Sequence, residues 1–268
     1  TLTVENKNKI YGEANPDFSV SYSGFQNNEI LANSGVTGTP AYSTLATISS
    51  GVGEYPVSAN LGSLAAKNYD FAFVTGKLAI GKATLTVSAQ DATKKYGDLN
   101  PVLAASITGF VNNETLASSG LKGQPAVSTQ VNAFTPVGTY DIEAGIGSMS
   151  SDNYTFAFEK GKFAVTKATV VVIADNQSKV YGTQNPVLTA TFSGFMNGED
   201  FGTSGMSGQP DLTTDATVAS KVDLYTIYAR KGSLSSNNYD FIFKNGTLVV
   251  RRATITVTAD AKRKIYGS

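Results

Sequence analysis

Apolar and polar residues alternate with a period of two along most of this chain. Leu85, Val87 and Ala89 are separated by Thr and Ser, and Tyr69, Phe71 and Phe73 keep the same rhythm. Such spacing puts one row of side chains on each face of an extended strand, so it predicts strands with one buried face. After Thr75-Gly76 the alternation resumes at Leu78 and Ile80, which predicts a β-hairpin turning at the glycine. The step Asn15-Pro16 biases the backbone towards an extended or turn conformation, and is expected to separate the first strand from the second. One segment departs from the strand rhythm. Asn28-Glu29-Ile30-Leu31-Ala32-Asn33-Ser34-Gly35 and its copy Asn113 to Gly120 read as a short helix, with Asn as cap, Glu in the first turn and Gly as terminator. The expected fold is mainly β: a β-grasp-like sheet crossed by one short helix. The alternative is an immunoglobulin-like β-sandwich, because spacing alone does not determine strand order.

The pattern recurs. Lys-x-Tyr-Gly occurs with its tyrosines at Tyr11, Tyr96, Tyr181 and Tyr266, each 85 residues from the last. Asn15-Pro16, Gly24-Phe25, Glu29, the Asn68-Tyr69-x-Phe71 stripe and Gly76 all return with the same period. The chain therefore reads as three tandem modules, residues 1–82, 83–167 and 168–252, followed by the first strand of a truncated fourth over 253–268. Lys-x-Tyr-Gly is expected to close the first strand, the tyrosine packing at its end and the glycine permitting the turn. Only Gly81-Lys82-Ala83 separates the last strand of one module from the first of the next, with no flexible linker. Modules joined so tightly and set end to end would form a rod on the order of 110 Å long.

Composition narrows the chemistry. The 268 residues contain no cysteine, histidine or tryptophan, and 21 Lys plus Arg balance 21 Asp plus Glu. A disulfide framework, a thiol nucleophile and the usual zinc ligands are thereby excluded, and there is no basic footprint for nucleic acid or anionic membrane. No apolar run is long enough to insert in a membrane as a helix. Both ends read as cuts through a longer tandem array, so a signal peptide or anchor is expected outside these residues.

Together, Lys-x-Tyr-Gly followed by Asn-Pro, Gly-Phe with its downstream Glu, Val-Gly-x-Tyr, Asn-Tyr-x-Phe and the closing Lys-Ala-Thr resemble the MBG family of bacterial surface repeats, in its Tyr-Gly variety. That resemblance covers all three modules and the opening of the fourth. It implies a tandem array in a large secreted or surface-anchored, adhesin-like bacterial protein, and hence an extracellular location. Module three departs at one place, where Val52-Gly53-Glu54-Tyr55 and Val137-Gly138-Thr139-Tyr140 become Val222-Asp223-Leu224-Tyr225. If the glycine served a positive-φ turn, Asp would be a poorer replacement.

Four kinds of chemistry can be weighed. Each module repeats a lysine (Lys9, Lys94, Lys179), an asparagine (Asn68, Asn153, Asn238) and a glutamate (Glu29, Glu114, Glu199), the residue types of an intramolecular isopeptide cross-link. That reaction needs all three buried together, the carboxyl shuttling a proton as a neutral amine attacks the amide. For calcium, Asp98, Asn100 and Glu114 are scattered and match no loop motif, so they are expected on solvated turns. Catalysis would need the same carboxylate pair or Ser-Lys dyad in three near-equivalent copies. A surface tyrosine could stack on a sugar. The expectation is a non-catalytic stalk segment without cofactor or metal, monomeric, whose partners are the neighbouring repeats. The alternative is a set of multivalent modules binding a surface glycan or protein ligand.

Overall fold

The structure, a computed structural model, describes residues 1–264 and 266. Each module contributes seven strands. In the first these are β1 (Leu2–Val4), β2 (Lys7–Ile10), β3 (Val20–Tyr22), β4 (Ala41–Thr44), β5 (Gly53–Asn60), β6 (Phe73–Val74) and β7 (Gly76–Gly81). The second has β8 (Ala83–Ala89), β9 (Ala92–Lys95), β10 (Ala105–Thr108), β11 (Ala126–Ser128), β12 (Gly138–Gly145), β13 (Tyr154–Glu159) and β14 (Gly161–Thr166). The third has β15 (Ala168–Ala174), β16 (Gln177–Val180), β17 (Ala190–Ser193), β18 (Asp211–Thr214), β19 (Leu224–Arg230), β20 (Tyr239–Lys244) and β21 (Gly246–Arg251).

Module one folds these strands into two sheets, β3-β1-β6 and β2-β7-β5-β4, and module three repeats the arrangement as β17-β15-β20 and β16-β21-β19-β18. In module two, β10-β8-β13 form the matching three-stranded sheet. Antiparallel pairs join β1 to β3 and β5 to β7, whereas β1 with β6 and β2 with β7 run parallel. Two facing sheets of seven strands follow the sandwich alternative rather than the β-grasp.

The expected helix is absent. Asn27 and Asn28 take φ of 55°, and Asn112 and Asn113 take 56° and 59°, left-handed values that no α-helix contains. The segment instead makes two successive turns, closed by Glu29 N–H to the Gln26 carbonyl and Asn33 N–H to the Ile30 carbonyl, both at 3.0 Å. So short a run cannot offset the cost of helix nucleation, and Asn suits left-handed turns as well as caps.

The expected hairpin is also absent, for a reason visible in the burial pattern. Burial falls on an even-numbered residue in β13, Tyr154, but on odd-numbered residues in β14, Gly161, Phe163 and Val165. This change of phase lets consecutive strands belong to different sheets: β6 pairs with β1, and β7 with β2 and β5. The same slip divides the first strand, since Leu2 and Val4 are buried in β1 and Lys9 in β2. A polar side chain holds each crossing. Asn6 Oδ1 accepts from Lys77 N–H at 2.9 Å, Asp91 Oδ1 from Lys162 N–H at 2.6 Å, and Asn176 Oδ1 from Thr247 N–H at 2.8 Å.

The glycine at the crossing is there for space, because none of Gly76, Gly161 and Gly246 takes a positive φ. A Cβ on Gly76 would lie 2.5 Å from the Val4 carbonyl oxygen, on Gly161 2.6 Å from that of Ala89, and on Gly246 2.4 Å from that of Ala174. Backbone cannot yield as a side-chain tip can. Gly246→Ala is therefore expected to destabilise its module by about 1–3 kcal/mol, read as a lower urea midpoint. An unchanged midpoint would remove close approach as the reason for the glycine.

Two compact units emerge. One comprises Thr1–Ala92, Val102–Gln130 and Asp141–Lys162; the other comprises Thr93–Pro101, Val131–Tyr140 and Phe163–Ser268. Neither coincides with an 85-residue period. The first joins module one to the three-stranded sheet of module two, and their apolar side chains form one core. Val57, Leu78 and Ile80 from module one cluster with Ala83, Leu85 and Tyr154 from module two. In the second unit Ala174, Ala216, Ile227, Ala229 and Leu248 form a core inside module three. Residues 253–264 carry no strand, although their sequence matches a first strand. Ile265 and Gly267 of the fourth Lys-x-Tyr-Gly, and Ser268 after it, lie outside the described residues.

Candidate functional site: the joints between modules

In the first unit Tyr11 follows β2, where the chain leaves the four-stranded sheet, and is 4% exposed. Its hydroxyl donates to Glu114 Oε1 of module two at 2.5 Å, and Tyr154 donates to Oε2 of the same carboxylate at 2.6 Å. The two tyrosine rings meet edge to face, 5.5 Å between centroids and 88° between planes, with Phe110 against Tyr154 at 5.9 Å. Val111 N–H donates to the Tyr154 hydroxyl at 3.1 Å, so that oxygen both donates and accepts. Around this clasp, Asn153 Oδ1 accepts from Val52 N–H at 3.0 Å and Lys82 Nζ donates to the Ser151 carbonyl at 2.8 Å.

The second unit repeats the joint with the next residues in the period. Tyr96 and Tyr239 donate to Glu199 Oε1 and Oε2, both at 2.6 Å, and their rings cross at 5.5 Å and 84°. Asn238 Oδ1 accepts from Val137 N–H at 3.1 Å, and Lys167 Nζ donates to the Ser236 carbonyl at 3.0 Å. The glycine after each tyrosine has two reasons to be glycine. Gly12 and Gly97 take φ of 88° and 86°, and a Cβ there would meet the Val111 and Met196 Cβ at 2.5 and 2.2 Å.

Lysine and asparagine of the repeated motif do a different job. Lys9, Lys94 and Lys179 are buried. Each ammonium donates to two backbone carbonyls: Glu13 and Thr47 for Lys9, Asp98 and Asn132 for Lys94, Thr183 and Thr217 for Lys179. Beside them Asn15, Asn100 and Asn185 donate to the carbonyls of Ala46, Val131 and Ala216. Such charge-assisted bonds hold one long loop in each module. The residues considered for an isopeptide are thus occupied separately: the lysines with loop carbonyls, the glutamates with tyrosine hydroxyls, and Asn153 and Asn238 with backbone N–H groups of the preceding module. Asn68 is exposed, and Glu29 accepts from Tyr69 at 2.6 Å. Of the calcium candidates, Asp98 is exposed, Asn100 donates to Val131, and Glu114 belongs to the clasp.

The Val-Gly-x-Tyr departure turns out to be benign. Gly53 takes φ of 157°, but neither Gly138 nor Asp223 takes a positive φ, so the motif does not depend on one. The motif's tyrosine closes its own loop in all three modules, Tyr55 donating to Gly51, Tyr140 to Pro136 and Tyr225 to Lys221.

The clasp displaces its tyrosines from their ordinary acidity. Tyr11 is raised by its bond to Glu114 and then by burial, and Tyr96 by burial and then by Glu199. Burial followed by Glu114 pushes Tyr154 up to about 12, and burial followed by Glu199 raises Tyr239 further. A folded pKa above the unfolded one means stability that is intact below about pH 10 and lost as pH rises towards 12. Burial lowers Lys9 and Lys94, which acts in the opposite sense below about pH 10.5. Above that pH the tyrosines prevail, each costing up to about 1.4 kcal/mol per pH unit. Tm is expected to fall steeply between about pH 10.5 and 12, with a shallower fall for Tyr154→Phe. Equal slopes would sink the assignment.

Residues 1–79, 85–164 and 170–249 each match the MBG domain (YGX type) family. No curated protein matches the chain. Among solved structures, the I9–I11 tandem from titin is 11% identical, covers 94% of this chain and 99% of its own, and has a TM-score of 0.24. Immunoglobulin domains 1–4 of Sidekick-1 are 11% identical over 75% of this chain and 58% of theirs, with a TM-score of 0.19. At such TM-scores neither likeness supports an inference.

Proposed function

Because this chain belongs to the MBG domain family of the YGX type, we propose that it is a non-catalytic spacer segment of a secreted or surface-exposed bacterial protein. Its modules hold their neighbours in a defined orientation. One observation carries this reading: modules one and two share a hydrophobic core, and a buried Tyr–Glu–Tyr clasp joins module one to two and module two to three. A binding module should leave its repeated aromatics exposed for a ligand, whereas Tyr11, Tyr96, Tyr154 and Tyr239 are spent on the joints. The repeated lysines likewise bind loops of their own modules. No residue performs chemistry in this reading.

A joint that sets orientation must be stiff. The chain has no cysteine, so Ser58→Cys and Ser106→Cys, on exposed sites of modules one and two within the first unit, can be spin-labelled uniquely. Pulsed electron-electron resonance is expected to give one narrow distance distribution. A broad or multimodal one would overturn the spacer reading.

A further inference from the structure

The first and last strands of each module lie side by side and run the same way. In module three Ala168 to Ile173 pair with Tyr239 to Lys244, and Gln177 to Val180 pair with Leu248 to Arg251, every partner 71 positions ahead. Between the two stretches Asn176 Oδ1 accepts from Thr247 N–H, again at a separation of 71. One register thus survives the crossing from the three-stranded sheet to the four-stranded one. Module one keeps it from Leu2 with Phe73 to Ile10 with Gly81, through Asn6 and Lys77. In module two it runs from Ala83 with Tyr154 to Ser88 with Glu159.

This parallel ribbon is where tension enters a module. β7 ends at Gly81 and β8 begins at Ala83, while β14 ends at Thr166 and β15 begins at Ala168. A pull along the chain therefore reaches each module through its first strand, drawn towards that strand's N-terminal end. It leaves through the last strand, drawn towards its C-terminal end. In parallel strands those two directions are opposed along one axis, so the load shears the ladder and its evenly spaced bonds share it. Nor can the strands relieve the load by sliding. A slip of one residue would turn the row Ala168, Val170, Val172 and Ala174 out of the core. A slip of any length would also draw the buried Lys179 ammonium off the Thr217 carbonyl and Asn176 off Thr247.

We infer that each module is a shear clamp and the array a tension-bearing tether. A module pulled by its two ends holds until its first and last strands part together. This goes beyond the spacer reading, which asks for stiff joints and asks nothing of a module under load.

Single-molecule force spectroscopy on the full chain tests this by changing only the direction of pull. No cysteine is present, so introduced pairs can carry the handles. Thr1→Cys with Gly81→Cys pulls module one by opposite ends of its ribbon. Both sites are exposed, and a Cβ on Gly81 would meet only the Lys9 carbonyl oxygen, at 3.9 Å. Thr1→Cys with Val74→Cys, also exposed, pulls on one end and opens the ladder bond by bond. At equal loading rate the unfolding force is expected to be several-fold higher in the first geometry. Asn6→Ala, at an exposed site, removes the lock to Lys77 N–H and is expected to lower that force while leaving the peeling force unchanged. Equal forces in the two geometries, or a lock variant that leaves the shearing force as it was, would overturn the clamp. Neither outcome bears on the width of the distance distribution between modules, so the spacer reading stands or falls separately.

Discussion

Glu114→Ala is expected to cost the first unit about 3 kcal/mol of stability. Its carboxylate accepts from Tyr11 and Tyr154 at once, and both tyrosines are nearly inaccessible to water. Removing the shared acceptor leaves two buried hydroxyl donors to be satisfied, at roughly 1–3 kcal/mol for each one left without a partner. Tyr154 keeps the bond its oxygen accepts from Val111 N–H, but its own O–H, like that of Tyr11, loses its acceptor. The same substitution at Glu29 is a built-in control. Among the described residues it accepts only from Tyr69, at a half-exposed site, so its loss from this chain should stay below about 1 kcal/mol. Urea denaturation of both variants makes the comparison. Equal losses would mean that the glutamate acts within its own module and that the joint contributes nothing.

Leu85→Ala is expected to have a still larger effect, about 2.5–5 kcal/mol, because it opens a cavity in a fully buried position. Leu85 is inaccessible to solvent on β8 of module two, yet it clusters with Val57, Leu78 and Ile80 of module one. The cavity therefore loosens both modules. Hydrogen exchange is expected to speed up at Val57 on β5 and Leu78 on β7 as well as along β8. Acceleration confined to module two would show that the two cores are separate.

Much of the architecture was legible before any coordinates. Period-two alternation marked the strands, but the expected first strand is two, and Lys-x-Tyr-Gly closes the second of them, with Tyr11 following β2 directly. What misled was local chemistry with two solutions. Asn-Glu at the start of an apolar run suits a helix cap, and it equally suits a left-handed turn, which Asn28 adopts. Thr75-Gly76 suits a hairpin turn, but the glycine there answers to the Val4 carbonyl, and the neighbouring Lys77 N–H pairs with Asn6, 71 residues earlier in the chain.

The joint is not legible from one module alone, because the repeated glutamate and tyrosine read equally well as partners within that module. Their signal was present. Tyr11 and Glu114 are separated by 103 residues, as are Tyr96 and Glu199, whereas Glu114 to Tyr154 and Glu199 to Tyr239 are 40 apart. A spacing of more than one period points to the neighbouring module, though periodicity alone cannot separate it from the corresponding contact inside a module.

By itself, then, the sequence determined the repeat, the strands, their buried faces and the turn after Lys-x-Tyr, because each depends on residues near one another in the chain. Only the tertiary structure decided which sheet each strand joins and which module each repeated side chain serves. Those choices rest on contacts between residues tens to a hundred positions apart, where one hydroxyl meets one carboxylate. A repeating chain offers every such contact several equivalent partners until it folds.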